Sequence, residues 1–451
     1  ACHKCWPKCY WMHCWSEKRS LETWRSYNYP HVAAVYWSLY RLARFYDPPL
    51  ATRASWQWYL TQAARTAAAM WKFGGKGRDT SQWGLMVGSV FALVLRDAEA
   101  EGLAAEAAPL REMVERRMAK WLKMPFPYGS EFPWDSTGHE EINTWLLWHG
   151  HHAAANKTVG AILAYSSYVP HWAHCGSARR YWDFTINGKT QWGNEREFHH
   201  YGSTLNAIPL FDHFRAYPQR AHLLLLGSCA LLGHLTNIDD TGAASMAWHG
   251  DPGLLRRDEY SGDYGVGFYG YWRSAGAYLA CVPPHGWVCT YCDIESGEAG
   301  GGGGAGCETA GPLRAVPRDA FGRHVYIGPL GVSATVEAAR IVGFDVSPRD
   351  GTATLRLRAH EARDVRPRGP ALVPLEREER VLSSRVEAQG PEDFFRGQVQ
   401  HGHLGLAHEG PDEALERVPH VRARVVVFHV RKRQFERRAA IQKVAEDDLD
   451  G

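Results

Sequence analysis

The chain has 451 residues, 45% of them hydrophobic and 22% charged, with a formal net charge of +2. That length calls for two or three domains instead of one core. The near-neutral balance excludes a dedicated nucleic-acid or anionic-membrane surface, and no run of about 18 uninterrupted apolar residues is present to span a bilayer.

Residues 1–20 are an atypical segment, expected to stand outside the fold. Cys2, Cys5, Cys9 and Cys14 interleave with His3 and His13, but their spacing fits no pair of chelating turns, so no metal site is expected. The chain begins at Ala1 with neither an initiator Met nor a signal-peptide pattern and is read as a fragment or a displaced gene start.

From residue 28 the texture is helix, loop, helix. Apolar residues at helical spacing and Pro or Gly punctuation predict helices over 28–46, 53–73, 82–102, 104–124, 140–152, 153–169, 206–217, 220–234 and 271–281. Such a series of antiparallel hairpins, with loops rich in Trp, Tyr, Gly and Asp, points to an α/α toroid over 21–295, whose loops at one end form a cleft. All 19 tryptophans lie at or before Trp287, and GEAGGGGGAG at 297–306 reads as a Gly-rich linker, bounded at 296–307. Period-two alternation then predicts a β-rich, sandwich-like domain over 308–432 and a charged tail over 433–451. Cys281, Cys289, Cys292 and Cys307 are close enough in sequence for a disulfide, with no choice of pairing from sequence.

Two runs concentrate the chemistry. EFPWDSTGHEEINTWLLWH (131–149) sets Asp135, Glu140 and Glu141 beside Trp134, Trp145 and Trp148, and NEREFHHYGSTLN (194–206) sets Glu195, Glu197, His199 and His200 against Tyr201. Carboxylates supply the acid and the base or nucleophile of glycosidic cleavage, and aromatic faces stack on sugar rings. The acid is expected at Glu140 or Asp135, with Trp134 covering it and raising its pKa by desolvation, and the second carboxylate at Glu197 or Asp263. Glu140 and Glu141 are adjacent, so on a helix they point about 100° apart and only one is expected to face the cleft. Trp134, Trp145, Trp192 and Tyr264 are the expected stacking platforms, with Glu141, His199, Tyr201, Asn206 and Asp240 as further substrate contacts.

The remaining motifs weigh less. Asp239-Asp240 before a glycine favours an Asx turn over a cation site. The glycines of YSGDYGVGFYGYW (260–272) match a dinucleotide pattern in spacing only, because no strand precedes them. They read instead as hinges of aromatic loops at the cleft rim. His149, His151 and His152 have no partner motif, and neither a metal nor a cofactor is expected.

The segments YNYPHVAAVYWSLYRLARFY, GLMVGSVF, EFPWDSTGHEE, NEREFHHYGSTLNAIPL and YSGDYGVGFYGYWRSAGAYL resemble the six-hairpin glycosidase-like proteins, over about residues 20–310. The resemblance implies a toroid, a carbohydrate substrate and a secreted protein with no obligate protein partner. The expected activity is that of a glycoside hydrolase. The alternatives are a polysaccharide lyase, in which His200 and Tyr201 or Tyr264 move the proton while Arg196, Arg215 or Arg273 neutralises a uronate, and a non-catalytic carbohydrate-binding protein.

Overall fold

The computed structural model describes residues 21–75 except 47, 80–126, 138–166, 202–235, 264–282, 286–296, 312–349 and 351–359, with short pieces at 17, 179–180, 198–199, 238, 386–389 and 424–429. The chain divides into two compact units, one on Ala1–Ala43, Ala51–Ser274 and Phe395–Gly397, the other on Arg44–Leu50, Ala275–Phe394 and Gln398–Gly451. The Gly-rich linker and the charged tail expected from the sequence lie outside the described residues.

The first unit is helical. Helix α1 (Asn28–Arg44) starts with Pro30 in its first turn, where a missing amide costs nothing. Helix α2 (Trp56–Phe73) is capped by the Ser55 side chain, which accepts from the Trp58 amide at 3.2 Å, and buries an Ala-rich stripe through Leu60, Ala63, Ala64, Ala67 and Met70. Three hairpins follow: α3 (Val90–Ala100) with α4 (Ala104–Trp121), α5 (His139–Trp148) with α6 (His152–Tyr165), and α7 (Ser203–Ala216) with α8 (Ala221–Leu235). Their connections span only residues 101–103, 149–151 and 217–220, and loops this short make the helices antiparallel neighbours. Helix α9 (Tyr264–Ser274) closes the series.

Packing sorts these helices into two layers. Helix α3 packs on α5, α5 on α7, and α7 on α9, while α4, α6 and α8 pair with the preceding member of that row. Burial follows the same division: every residue of α5 from His139 to Leu147 and of α7 from Ser203 to Arg215 is buried, whereas α4 buries one stripe, Ala107, Leu110, Met113, Val114, Arg117, Met118 and Trp121.

Two short strands, β1 (Arg179–Arg180) and β2 (Phe198–His199), pair with each other ahead of the second unit. That unit is built of β3 (Ala277–Val282), β4 (Gly286–Thr290), β5 (Cys292–Ser296), β6 (Leu313–Pro317), β7 (His324–Ile327), β8 (Val332–Val336), β9 (Ala339–Ser347), β10 (Thr352–Ala359), β11 (Val386–Gln389) and β12 (Arg424–His429). They form a pair of five-stranded sheets, in the orders β12-β10-β9-β6-β5 and β11-β8-β7-β3-β4. Most pairs are antiparallel; β3 and β7 are parallel. Leu279, Ile327, Val332 and Val336 from one sheet meet Ile341, Phe344, Val346 and Leu355 from the other in a single core, which makes the unit a two-layer sheet packing. The chain passes from edge strand β4 to edge strand β5 through Tyr291 at φ 56°, and a Cys289–Cys292 disulfide crosses that corner with Cα atoms 5.5 Å apart.

Three sequence expectations are corrected. The helical unit ends at Ser274 and not at 295, because AYLACV (277–282) is a buried strand; a short apolar run carries no period that separates helix from strand. The helix expected over 271–281 instead covers Tyr264–Ser274, so YSGDYGVGFYGYW contributes a helix where loops were expected. Residues 82–89 form a 3₁₀ turn and a loop, and α3 begins only at Val90, after Gly84 and Gly88.

Candidate functional site

The described part of the site is built where α5 begins. Gly138 takes the left-handed conformation at φ 85° that starts this helix, and its backbone lies directly against Gly84. A Cβ on Gly138 would stand 2.1 Å from the Gly84 carbonyl carbon, and one on Gly84 would stand 2.4 Å from the Gly138 oxygen. Only glycine permits that approach. It delivers Glu140 and Glu141 together onto the loop 85–89.

Glu141 is sealed from solvent and paired with the equally buried Arg117 of α4 through both carboxylate oxygens, the Nη2–Oε2 contact being 2.8 Å. The Leu85 amide donates to the same Oε2 at 2.8 Å, and the Arg117 guanidinium lies 4.9 Å from the Trp121 ring centre. The arrangement is a charge pair whose carboxylate is fully satisfied by protein groups. This corrects the expectation that Glu141 touches substrate.

Glu140 turns to the other end of the loop. It accepts the Ser89 amide at 3.3 Å on Oε2, while Oε1 has no partner among the described residues. Burial, and second the charge of Glu141, hold its carboxyl well above the ordinary range, although the amides of Val87, Gly88 and Ser89 favour the charged form. The direction agrees with the sequence expectation; the access does not. Glu140 is 1% exposed, so neither of the adjacent carboxylates faces solvent. Val87, between them in the loop, adopts φ 65°, a costly conformation for a β-branched residue.

Ser89 occupies the N-cap of α3, yet its side chain makes no capping bond. Its hydroxyl sits 2.8 Å from the Tyr269 hydroxyl of α9. Helix α9 is held there by a close crossing with α7: a Cβ on Gly270 would meet the Thr204 backbone at 2.5 Å, and the Thr204 hydroxyl donates to the Gly267 carbonyl at 2.9 Å. Tyr269 is partly exposed. Burial of its ring, then the Glu140 charge, hold the phenol far above its ordinary value, against the opposing effects of Ser89 and Arg273. Arg273, one turn further along the same helix, is partly exposed too and has no ion-pair partner among the described residues.

Beneath α7 lies a second buried polar group. Asn143 donates to the Ala155 carbonyl at 3.1 Å and to His213 Nε2 at 3.0 Å. Burial, first, then Arg220 and His152, lower the His213 pKa to about 3. Arg215 is buried and pairs with Asp212, which removes it from the cationic contacts expected for substrate.

Of the remaining expected site residues, Trp145 is 1% exposed and packs edge-on to Trp148 at 6.1 Å, so it is a core residue and no stacking platform. Asn206 is buried in α7. His199 lies in β2 and Tyr264 at the start of α9, described in backbone alone. Trp134, Asp135, Trp192, Glu197, His200, Tyr201, Asp240 and Asp263 lie outside the described residues. Among the described residues no group of three or more His, Cys, Asp and Glu side chains is arranged to hold a metal ion, and no helix is long and apolar enough to cross a membrane. The sequence reading passed over Ser89, Arg117 and Tyr269 as site residues. Tyr269 stood among the aromatics of 260–272, and only the phase of α9, invisible while the segment reads as loop, distinguishes it from Tyr264.

Comparison with curated proteins finds no match. Among solved structures, a polysaccharide lyase is similar with a TM-score of 0.42 and 17% identity, over 55% of this chain and 35% of that one. The chain thus spans about a third of the length of that protein. The sequence profile of the family of unknown function DUF5695 matches residues 6–390, and the chain belongs to that family.

Proposed function

We propose that this chain is a carbohydrate-active enzyme that breaks glycosidic bonds, with Tyr269 as its proton donor. The observation that carries this reading is the hydroxyl of the partly exposed Tyr269 side chain, 2.8 Å from Ser89 and held protonated by burial and the Glu140 charge. A general acid must touch the leaving oxygen; at 1% exposure Glu140 is sealed from it, whereas the Tyr269 side chain is partly exposed. Arg273, one turn along α9, offers a guanidinium for a carboxylate. These features favour β-elimination on a uronate-containing glycan, the reaction of a polysaccharide lyase. A base removes the proton beside the uronate carboxylate, the bond to the leaving oxygen breaks as a carbon–carbon double bond forms, and Tyr269 gives its proton to that oxygen. The base is assigned to His200 or Tyr201.

Hydrolysis is the second reading, with Asp135 as the acid and Glu197 or Asp263 as the second carboxylate, since the sealed Glu140 does not reach the leaving oxygen. In either case we assign the helical unit to the α/α toroids, on the strength of its three short-looped hairpins and its inner row α3, α5, α7, α9.

The test is digestion of pectate, alginate, hyaluronan and neutral glucans with the purified chain. Elimination leaves an unsaturated, ultraviolet-absorbing uronate; hydrolysis leaves new reducing ends without that absorbance. Elimination products lost in Tyr269→Phe support the first reading, hydrolysis products lost in Asp135→Asn support the second, and glycan binding without cleavage of any polymer rejects both in favour of a binding protein.

A further inference from the structure

A serine at a helix N-cap ordinarily spends its hydroxyl on the orphan amides of the first turn. Ser89 does not: its backbone is helical at φ −59°, ψ −18°, its side chain caps nothing, and the amides of Val90, Phe91 and Ala92 are taken by the carbonyls of Val87, Gly88 and Ser89, while Glu140 accepts the Ser89 amide itself. The hydroxyl is thereby released. Its one hydrogen-bond partner among the described residues is Tyr269, at 2.8 Å. Two hydroxyls at this distance share one proton between them, so one donates and the other keeps its hydrogen for another acceptor. Ser89 is sealed at 1% exposure while the Tyr269 side chain is partly exposed, so only the phenol can turn its hydrogen outward, and the donor in the pair is Ser89.

We propose that Ser89 is a positioning residue for Tyr269: by donating to the phenol oxygen it turns the phenol proton outward and stabilises the oxygen as that proton leaves. The proposal rests on the reading of Tyr269 as proton donor. The amides that a serine cap would serve are held by the loop's own carbonyls, which leaves the hydroxyl available to the phenol. The strained Val87 and the Gly84–Gly138 contact fix the loop on which this depends.

Because Ser89 caps nothing with its side chain, Ser89→Ala is expected to fold normally. Two readouts separate the proposal from the reading beneath it. In protein carrying ¹³C at the tyrosine ring carbon that bears oxygen, the Tyr269 resonance, identified by its loss in Tyr269→Phe, is expected to move in Ser89→Ala, with no substrate present. On whichever of pectate, alginate or hyaluronan the wild type cleaves, Ser89→Ala is expected to lower kcat about tenfold, the worth of one hydrogen bond, with KM unchanged. Ser89→Thr, which keeps the hydroxyl, is expected to restore the resonance and most of kcat. A Tyr269 resonance that stays in place in Ser89→Ala, or a kcat equal to wild type, overturns the role of Ser89. Full activity in Tyr269→Phe overturns the proton-donor reading itself, whatever Ser89 does to the resonance.

Discussion

Arg117 and Glu141 bury opposite charges against each other, both side chains sealed from solvent, so each is indispensable to the other. Arg117→Ala strands a carboxylate in the interior, and such losses cost about 3–5 kcal/mol. Denaturant unfolding of this variant should show that loss, and Arg117→Met with Glu141→Leu should recover much of it; a loss under about 1 kcal/mol would mean that the pair is not buried in solution. The sequence made both glutamates conspicuous but could not show their partners. Those lie 24 residues away on α4 for Glu141 and 51 residues away at Ser89 for Glu140, and separations of that size leave no periodic trace. The same limit explains Trp145. An aromatic beside carboxylates fits a sugar platform and a core position equally well, and only the burial of α5 along nearly its whole length decides for the core.

At the scale of elements, punctuation was a reliable guide where a helix ended and a poor one where a helix had glycines inside it. Gly102, left-handed, closes the turn that the sequence predicts, whereas Gly150, also left-handed, breaks a helix expected to run to residue 152. Gly265, Gly267 and Gly270 read as loop hinges, yet they lie in α9, where Gly270 allows the backbone to press on Thr204 of α7. Packing outweighs the roughly 1 kcal/mol propensity cost of each helical glycine. Gly270→Ala should therefore destabilise the helical unit by about 1–3 kcal/mol, although alanine is the better helix former. Gly265→Ala, where an added Cβ meets nothing within 4 Å, should stabilise it by about 1 kcal/mol. Thermal melts of the two variants moving in the same direction would contradict the close crossing.

Across the whole molecule, two buried groups limit the pH range of the fold from opposite sides. The carboxyl of Glu140 is raised in the folded state, so its contribution is complete in acid and is lost as pH rises through its folded value. His213 is lowered to about 3, so it stays neutral in the fold; its contribution is complete above the ordinary histidine value of about 6.5 and is lost as pH falls from there toward 3. Melting temperature should fall on both flanks, Glu140→Gln flattening the alkaline side alone and His213→Gln the acid side alone. A profile unchanged by either variant would show that these groups titrate normally. The two-part organisation was legible from the loss of tryptophan after Trp287, but the break itself falls earlier, at Ser274, because strands β3 to β5 carry the last tryptophan into the sheet unit. One contact in the helical unit also bears on how the family can diverge. The main chains at Gly84 and Gly138 touch, so a methyl at either meets the other's backbone within 2.4 Å. Neither position can drift by itself, and no side-chain change nearby compensates. In an alignment of relatives the two should be glycine together, and a lineage that abandons one should have rebuilt both loops.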